Sequence, residues 1–182
     1  PGKHNQVNAA CVMTVCRVMG LDGERVRESL KTFLGLPHRL ELVGKVGGVA
    51  YINDSKSTAP AATIIAVDAL RDRQGKLIAI VGGQRKDVPL VDCAMSLAQS
   101  CRIVICCGQA GSVFAASVQQ ATGDSGPLVR EANGIEEAVA LAAREARPGE
   151  TVLFSPGAPS FDQYVNFTER GKHFAALVNA LK

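Results

Sequence analysis

The chain has 182 residues, 47% hydrophobic and 20% charged, with 20 Lys and Arg against 17 Asp and Glu for a formal net charge of +3. This ordinary globular composition supports one good core with an appended element and excludes a large multidomain machine. The basic residues are scattered singly, which argues against nucleic-acid or anionic-membrane partners. No apolar run is long enough to span a bilayer and the first residues lack a secretion-signal layout, so a cytoplasmic protein is expected.

From Asn5 to Met19 the sequence is nearly all apolar, with Asn8, Thr14 and Arg17 as a narrow polar stripe, which predicts a helix buried on most sides and stopped by Gly20. Asp22 caps a second predicted helix with Val26, Leu30, Phe33 and Leu34 on one face, ended by Gly35-Leu36-Pro37. Leu42-Val43 and Val49 to Ile52 read as two short strands in a hairpin-like pair, and the core domain is expected to begin near Leu40.

An alternation follows. Helices are predicted from Pro60 to Leu70, Leu90 to Ala98, Ser112 to Gln120 and Ile135 to Ala146, separated by strands at Leu77 to Val81, Ile103 to Cys107, Leu128-Val129 and Val152 to Phe154. Asn133 with Glu136 resembles a capping box for the helix beginning at Ile135. A last helix carries Phe167, Gly171, Phe174, Val178 and Leu181 on one stripe. This order predicts an α/β fold, Rossmann-like, with a mostly parallel sheet covered by helices on both faces and preceded by two helices.

The six cysteines, Cys11, Cys16, Cys93, Cys101, Cys106 and Cys107, form no C-x-x-C pair and read as small buried hydrophobes of a reducing compartment. His4, His38 and His173 are far apart in sequence, so no zinc ligand set is expected.

In an open parallel sheet, ligands bind outside the carboxyl ends of the strands. Three such loops carry unusual chemistry. Asn53-Asp54-Ser55-Lys56-Ser57-Thr58 puts an acid, a base and several hydroxyls at a strand-to-helix turn whose free N–H groups favour an anion, although a well-capped helix behind a solvated loop would read the same. Gly82-Gly83-Gln84-Arg85-Lys86 resembles an anion cradle, or a tight turn with incidental bases. The loop from Ser155 to Asp162 is rigid, with Ser160 near the start of the last helix, where it could bind a carboxylate or simply cap. No Gly-x-Ser-x-Gly or triad pattern is present, and Gly108 to Gly111 reads as a turn. Arg39 follows a rigid turn and could clamp a phosphate or simply cover a helix end at the surface. Asn5 and Asn8, one helical turn apart, could read the edge of a base or serve only as a cap and an exposed amide.

In order, His4-Asn5-Gln6-Val7-Asn8, Gly35 to Glu41, Asn53 to Thr58, Gly82 to Lys86, Ser155 to Tyr164 and Asn166 to Gly171 resemble a Mur ligase, and among those its D-glutamate-adding members. The resemblance covers essentially the whole chain. It implies residues 1–39 as the tail of a central ATP-binding domain and residues 40–182 as the C-terminal, amino-acid-binding domain. It further implies an ATP-dependent ligase that joins D-glutamate to UDP-N-acetylmuramoyl-L-alanine through an acyl phosphate in peptidoglycan synthesis. By resemblance, Asn5 and Asn8 would face adenine, Arg39 the ATP phosphates, and Asp54 and Lys56 the ribose side, while Thr58, Lys86, Ser160 and Phe167 would surround D-glutamate.

The Gly-Lys dipeptides at Gly2, Gly44, Gly75 and Gly171 sit in no phosphate-loop context, so ATP and Mg would be held chiefly by a central domain absent from this sequence. The chain is accordingly expected to be an inactive fragment of a monomeric enzyme. Two positions depart from the family pattern, Ala59 where Asn is usual and Asp87 where Gly is usual. The alternatives are a related ligase of different amino-acid specificity and a non-catalytic α/β binding module.

Overall fold

The computed structural model describes residues 3–71 and 77–181, which fall into two compact units, Pro1–Leu36 and Pro37–Lys182. Gly2 and Gly75 lie outside the described residues.

The first unit holds α1 (Lys3–Val18) and α2 (Gly23–Thr32). Asp22 caps α2 by accepting the Glu24 N–H at 2.9 Å. The expected burial of α1 is not found, since Val7, Val15 and Val18 are 61%, 57% and 83% exposed. Two helices can cover only a strip of one another, so the remaining apolar faces of α1 stay open within the unit. Phe33 and Leu34 also lie outside α2, where they had been expected inside it. With nothing in the unit to bury them, the weak helix formers Thr32 and Phe33 end the helix.

The second unit is the predicted mostly parallel α/β sheet. Its strands are β1 (Glu41–Val46), β2 (Val49–Asn53), β3 (Leu77–Gly82), β4 (Cys101–Cys107), β5 (Leu128–Ala132) and β6 (Thr151–Phe154). Their spatial order is β1-β2-β6-β3-β4-β5, and β1 alone runs antiparallel to its neighbour. The helices are α3 (Pro60–Leu70), α4 (Val91–Ser100), α5 (Gly111–Thr122), α6 (Ile135–Glu145) and α7 (Phe167–Ala180).

Pleating divides the core in two. Ala79 and Val81 of β3 face Leu97 of α4 and Phe114 of α5, while Ile78 and Ile80 face Ala138 of α6 and Phe174 of α7. Because both faces are covered, β3 is buried throughout and reads as an unbroken apolar run rather than an alternation.

Local details differ from the sequence reading. β1 is longer than Leu42-Val43 and carries a register shift between Leu42 and Gly44, and Gly44 within it made the segment hard to read as strand. The capping box at α6 does not form. Gly134 is the N-cap, and Asn133 instead donates its backbone N–H and Nδ2 to Glu137 Oε2 at 2.9 and 2.7 Å, the acid one residue further on. Ser160 does not start the last helix, because Asn166 caps α7 by accepting the Glu169 N–H. Four cysteines are buried as expected, but Cys11 is exposed and Cys16 half-buried on the open α1. Burial pushes the thiols of Cys93, Cys101, Cys106 and Cys107 up, which leaves them unreactive packing groups.

At the amino-terminal rim of the sheet, Arg102 donates from Nε and Nη2 to the two oxygens of Glu150 at 2.6 and 2.5 Å. Desolvation works to raise the Glu150 carboxyl, yet its bonds from Arg102 and the Arg147 N–H outweigh that and hold it below the usual range. This bidentate pair ties the start of β4 to the start of β6.

On the opposite rim α7 approaches the chain entering β1 so closely that Gly171 has no room for a side chain, because a Cβ there would overlap the His38 imidazole. His38 itself sits at φ 62° and its Nδ1 lies 3.0 Å from Nδ2 of the buried Asn53. Gly171→Ala gains about 1 kcal/mol of helix propensity. Overpacking typically costs about 1–3 kcal/mol, and displacing the imidazole also removes a partner from Asn53. A net loss of stability is therefore expected, read as a lower urea midpoint of the intact protein; an unchanged midpoint would show that the imidazole moves aside freely.

Candidate functional site

The loops after β2, β3 and β6 are stitched to one another by main-chain bonds. Gly157 N–H donates to Ser57 O at 2.9 Å, Gly82 N–H to Pro156 O at 2.7 Å and Gln84 N–H to Pro159 O at 2.8 Å. Beneath them runs a buried hydroxyl chain: Ser155 Oγ donates to Asp54 Oδ2 at 2.8 Å, Thr63 Oγ1 to Ser155 O at 3.1 Å, and Ser57 Oγ lies 3.1 Å from Thr63 Oγ1. Buried polar groups of this kind must be partnered, and here the partners come from the neighbouring loops.

A pocket of about 150 Å³ opens between these loops and the start of α5. Thr58, Gln84, Arg85 and Lys86 form its polar wall, and no Asp or Glu lines it. Asp87 is exposed and lies outside the lining. Neither Arg85 nor Lys86 makes an ion pair among the described residues. The pocket also meets the start of α3, where the N-cap is Ala59 with no side-chain hydrogen bond and Pro60 follows at the first turn. An uncapped helix N-terminus and two unpaired cations give this wall a consistently positive character.

The sequence-predicted residues are distributed as follows. Thr58 and Lys86 meet at the pocket. Ser160 is buried in the adjoining loop, its carbonyl accepting the Tyr164 N–H at 2.8 Å, and its side chain does not line the pocket. Phe167 begins α7 on the other side of that loop; its ring lies edge-on to His38 at 6.4 Å between centroids and 5.4 Å from Lys56 Nζ. Arg39 and Lys56 are exposed at the same rim of the second unit. Asn5 and Asn8 project from α1 in the first unit.

Asp54 is turned inward. It is only 6% exposed, and it accepts the Leu40 N–H at 3.2 Å as well as the Ser155 hydroxyl. Desolvation raises its carboxyl to about 6, against the opposing pull of Ser155, Leu40, Arg39 and Ser57. Leu40 has φ 47°, so this bond fixes a strained stretch of chain that also presents Arg39.

Sequence reasoning missed Arg170. It is 3% exposed, donating from Nε to Ser55 Oγ at 3.1 Å, from Nη2 to Ser55 O at 2.9 Å and from Nη1 to Ala158 O at 3.0 Å. Ser55 Oγ in turn donates to Phe167 O at 2.8 Å. Desolvation lowers the guanidinium to about 10, still charged at neutral pH. The signal was available, since Arg170 adjoins Gly171 on the inward stripe of α7, where a cation needs partners.

Sequence comparisons with known proteins agree on one family, and solved structures share the fold. Residues 38–157 match the family described as Mur ligase, glutamate ligase domain. The chain is 40% identical over 181 residues to UDP-N-acetylmuramoylalanine–D-glutamate ligase of Symbiobacterium thermophilum, covering 100% of this chain and 39% of that protein. The enzyme of the same name from Pseudomonas aeruginosa is 39% identical, with 99% and 39% covered. The chain thus spans about 39% of the length of these relatives. Among solved structures, UDP-N-acetylmuramate-alanine ligase of Thermotoga maritima superposes with a TM-score of 0.75 at 18% identity, covering 100% of this chain and 39% of that one. The MurF ligase of Thermotoga maritima in complex with ADP gives 0.68 at 17% identity, with 100% and 40% covered.

The inward Asp54 yields a pH signature. Its folded carboxyl titrates at about 6 against an ordinary 3.8. Where the folded state holds its proton more tightly than the unfolded, stability falls as pH rises, so this group favours folding most below pH 4 and loses that contribution through about pH 6. The gap is worth about 3 kcal/mol. Asp54→Asn keeps an acceptor for Leu40 and cannot ionise. Its stability relative to the unaltered protein should therefore increase by up to about 3 kcal/mol between pH 4 and pH 7, measured by urea unfolding. A pH-independent difference would mean that Asp54 ionises as if in water.

Proposed function

The chain belongs to the Mur ligase family through its glutamate ligase domain, and on that footing we propose that it is the C-terminal part of an ATP-dependent ligase joining D-glutamate to UDP-N-acetylmuramoyl-L-alanine. Residues 1–39 would then be the tail of the ATP-binding domain and residues 40–182 the domain that brings the amino acid. The observation that carries this reading is the meeting of Thr58 and Lys86 at one pocket that no acid lines, in a chain matched along its whole length by enzymes named for D-glutamate.

In this reading ATP supplies the activation of the nucleotide sugar's carboxylate. The residues of this chain bind and orient. Lys86 offers an ammonium and Thr58 a hydroxyl to a carboxylate of D-glutamate, a charge-assisted contact beside the uncapped start of α3. Ser160 and Phe167 would complete the grip at the edge of the β6–α7 loop, leaving the amine free to attack. Because Arg170 fixes that loop to the one carrying Thr58, the two halves of the grip would keep their spacing when the amino acid enters.

For the nucleotide, the exposed Arg39 and Lys56 suit phosphate and ribose contacts. Asp54 suits a supporting role better, holding Leu40 and so the approach of Arg39. Asn5 and Asn8 are our candidates for adenine. Magnesium would accompany the nucleotide; among the described residues no group of three or more His, Cys, Asp or Glu could hold a metal ion, so its ligands are assigned to a neighbouring domain. No helix among the described residues is long and apolar enough to cross a membrane. We take the working enzyme to be a monomer.

In the intact protein, Lys86→Ala should remove a hydrogen bond to a charged partner worth about 1.5–3 kcal/mol, raising KM for D-glutamate roughly 10- to 150-fold with a smaller effect on kcat. Ligation assays with a panel of D- and L-amino acids check this. Preference for another amino acid, or an unchanged KM, would remove the D-glutamate assignment.

A further inference from the structure

The pocket that holds Thr58 and Lys86 is not finished by them. Below its polar wall it is closed by Leu90, Val113 and Phe114, with Val88 at the lip and Ala110 beneath. Leu90, Phe114 and Ala110 belong to the buried core, and Val113 packs against it. Glutamate carries only two methylenes of apolar surface, and Ser160 and Phe167, which we assign to its grip, lie outside this lining. An apolar floor of this extent therefore has no counterpart in the amino acid proposed for the rim.

We propose that this floor is a separate subsite for a carboxylate bearing a compact apolar group, such as a single aromatic ring or a branched alkyl chain. The ring would lie against Leu90, Val113 and Phe114, and the carboxylate would be held at the mouth by Arg85 and Lys86. Size limits the guest to one compact ring, since roughly 150 Å³ suffices for a benzene-sized molecule and this pocket, its polar wall included, measures about 150 Å³. Charge supports the carboxylate: the mouth has two bases without ion-pair partners and an uncapped helix start, while no acid lines it. A purely apolar guest would leave the cations unused, and a small dicarboxylate would leave the floor unfilled. The subsite goes beyond the D-glutamate reading and shares only Thr58 and Lys86 with it, so an occupant would compete with the amino acid for Lys86.

The test uses the intact protein and phenylpropionate as probe, followed by titration calorimetry. Succinate, which lacks the ring, and phenylpropanol, which lacks the charge, serve as controls. Phenylpropionate should bind at least about tenfold more tightly than either. Val113→Trp, which fills the floor, should weaken it by a similar factor, as should Val88→Asp, which places an acid at a lip residue that is 42% exposed and tolerant of change. Circular dichroism confirms that both variants fold. Equal binding of succinate and phenylpropionate, or binding untouched by either variant, would overturn the subsite. In ligation assays phenylpropionate should raise KM for D-glutamate without lowering kcat. If D-glutamate proves not to be a substrate while the binding pattern holds, the rim reading falls and the subsite stands; loss of the pattern with D-glutamate kinetics intact sinks the subsite alone.

Discussion

The arrangement of the carboxyl rim depends on one buried cation. Arg170 reaches from α7 to carbonyls on two different loops, at Ser55 and Ala158, and to the Ser55 hydroxyl. A guanidinium at 3% exposure is tolerable only while those acceptors stay in place. The constraint is reciprocal: the loops need the cation because their carbonyls have left water, and the cation needs the loops because it has left water too. Its lowered but still cationic state at about 10 shows the balance, with desolvation pulling down and the Asp162 carboxylate restoring part of the loss. The distant β2–α3 loop is thereby held to one geometry with α7 and the loop before it, and a binding site placed on them inherits that rigidity.

The two rims of the sheet are built differently. At the amino-terminal rim the cation, Arg102, meets a carboxylate, so the charges cancel and the edge is closed. At the carboxyl rim the buried cation hydrogen-bonds only neutral carbonyls and a hydroxyl, the Asp162 carboxylate acts on it through space alone, and the buried acid Asp54 is occupied with Ser155 and Leu40. Positive charge is thus only partly compensated where the loops converge, joined there by Arg39, Lys56, Arg85 and Lys86 at the surface. In a low-dielectric setting such an imbalance favours anionic ligands before any specific contact is counted.

The fold was largely legible because its signals are local. The apolar run of β3, the Pro60 start of α3 and the stripe of α7 each follow from short-range pattern, and the alternation of strand and helix leaves few topologies. What escaped is non-local. Burial of α1 could not be judged from its own composition, since an apolar helix declares a need for a partner without supplying one. The Asn133 side chain chose Glu137 over Glu136, a difference of one residue between equally plausible caps. For the site, the loops were legible as glycine- and hydroxyl-rich turns after strands, and it was the family resemblance that singled out Thr58 and Lys86 within them. The inward turn of Asp54 and the brace at Arg170 were not, because both depend on which distant carbonyls and hydroxyls the tertiary fold brings alongside.

That same dependence explains why the pocket joins two kinds of wall. Its polar side is made of residues that follow β2 and β3, where the chain turns and backbone groups face outward. Its apolar side is the near end of the α4 and α5 core layer, with Phe114 and Leu90 continuous with the packing around Val81 and Leu97. A site at the end of a parallel sheet necessarily sits where a charged rim meets the edge of a hydrophobic layer. Whether that edge is sealed depends on the residues at the first turn of each helix, and here the small Ala59 and Ala110 leave it open. Ala110 lies in the buried layer and Ala59 at the exposed rim, so these two small residues line the pocket at both of its ends, and its depth rests on packing as well as on the cations that mark its entrance.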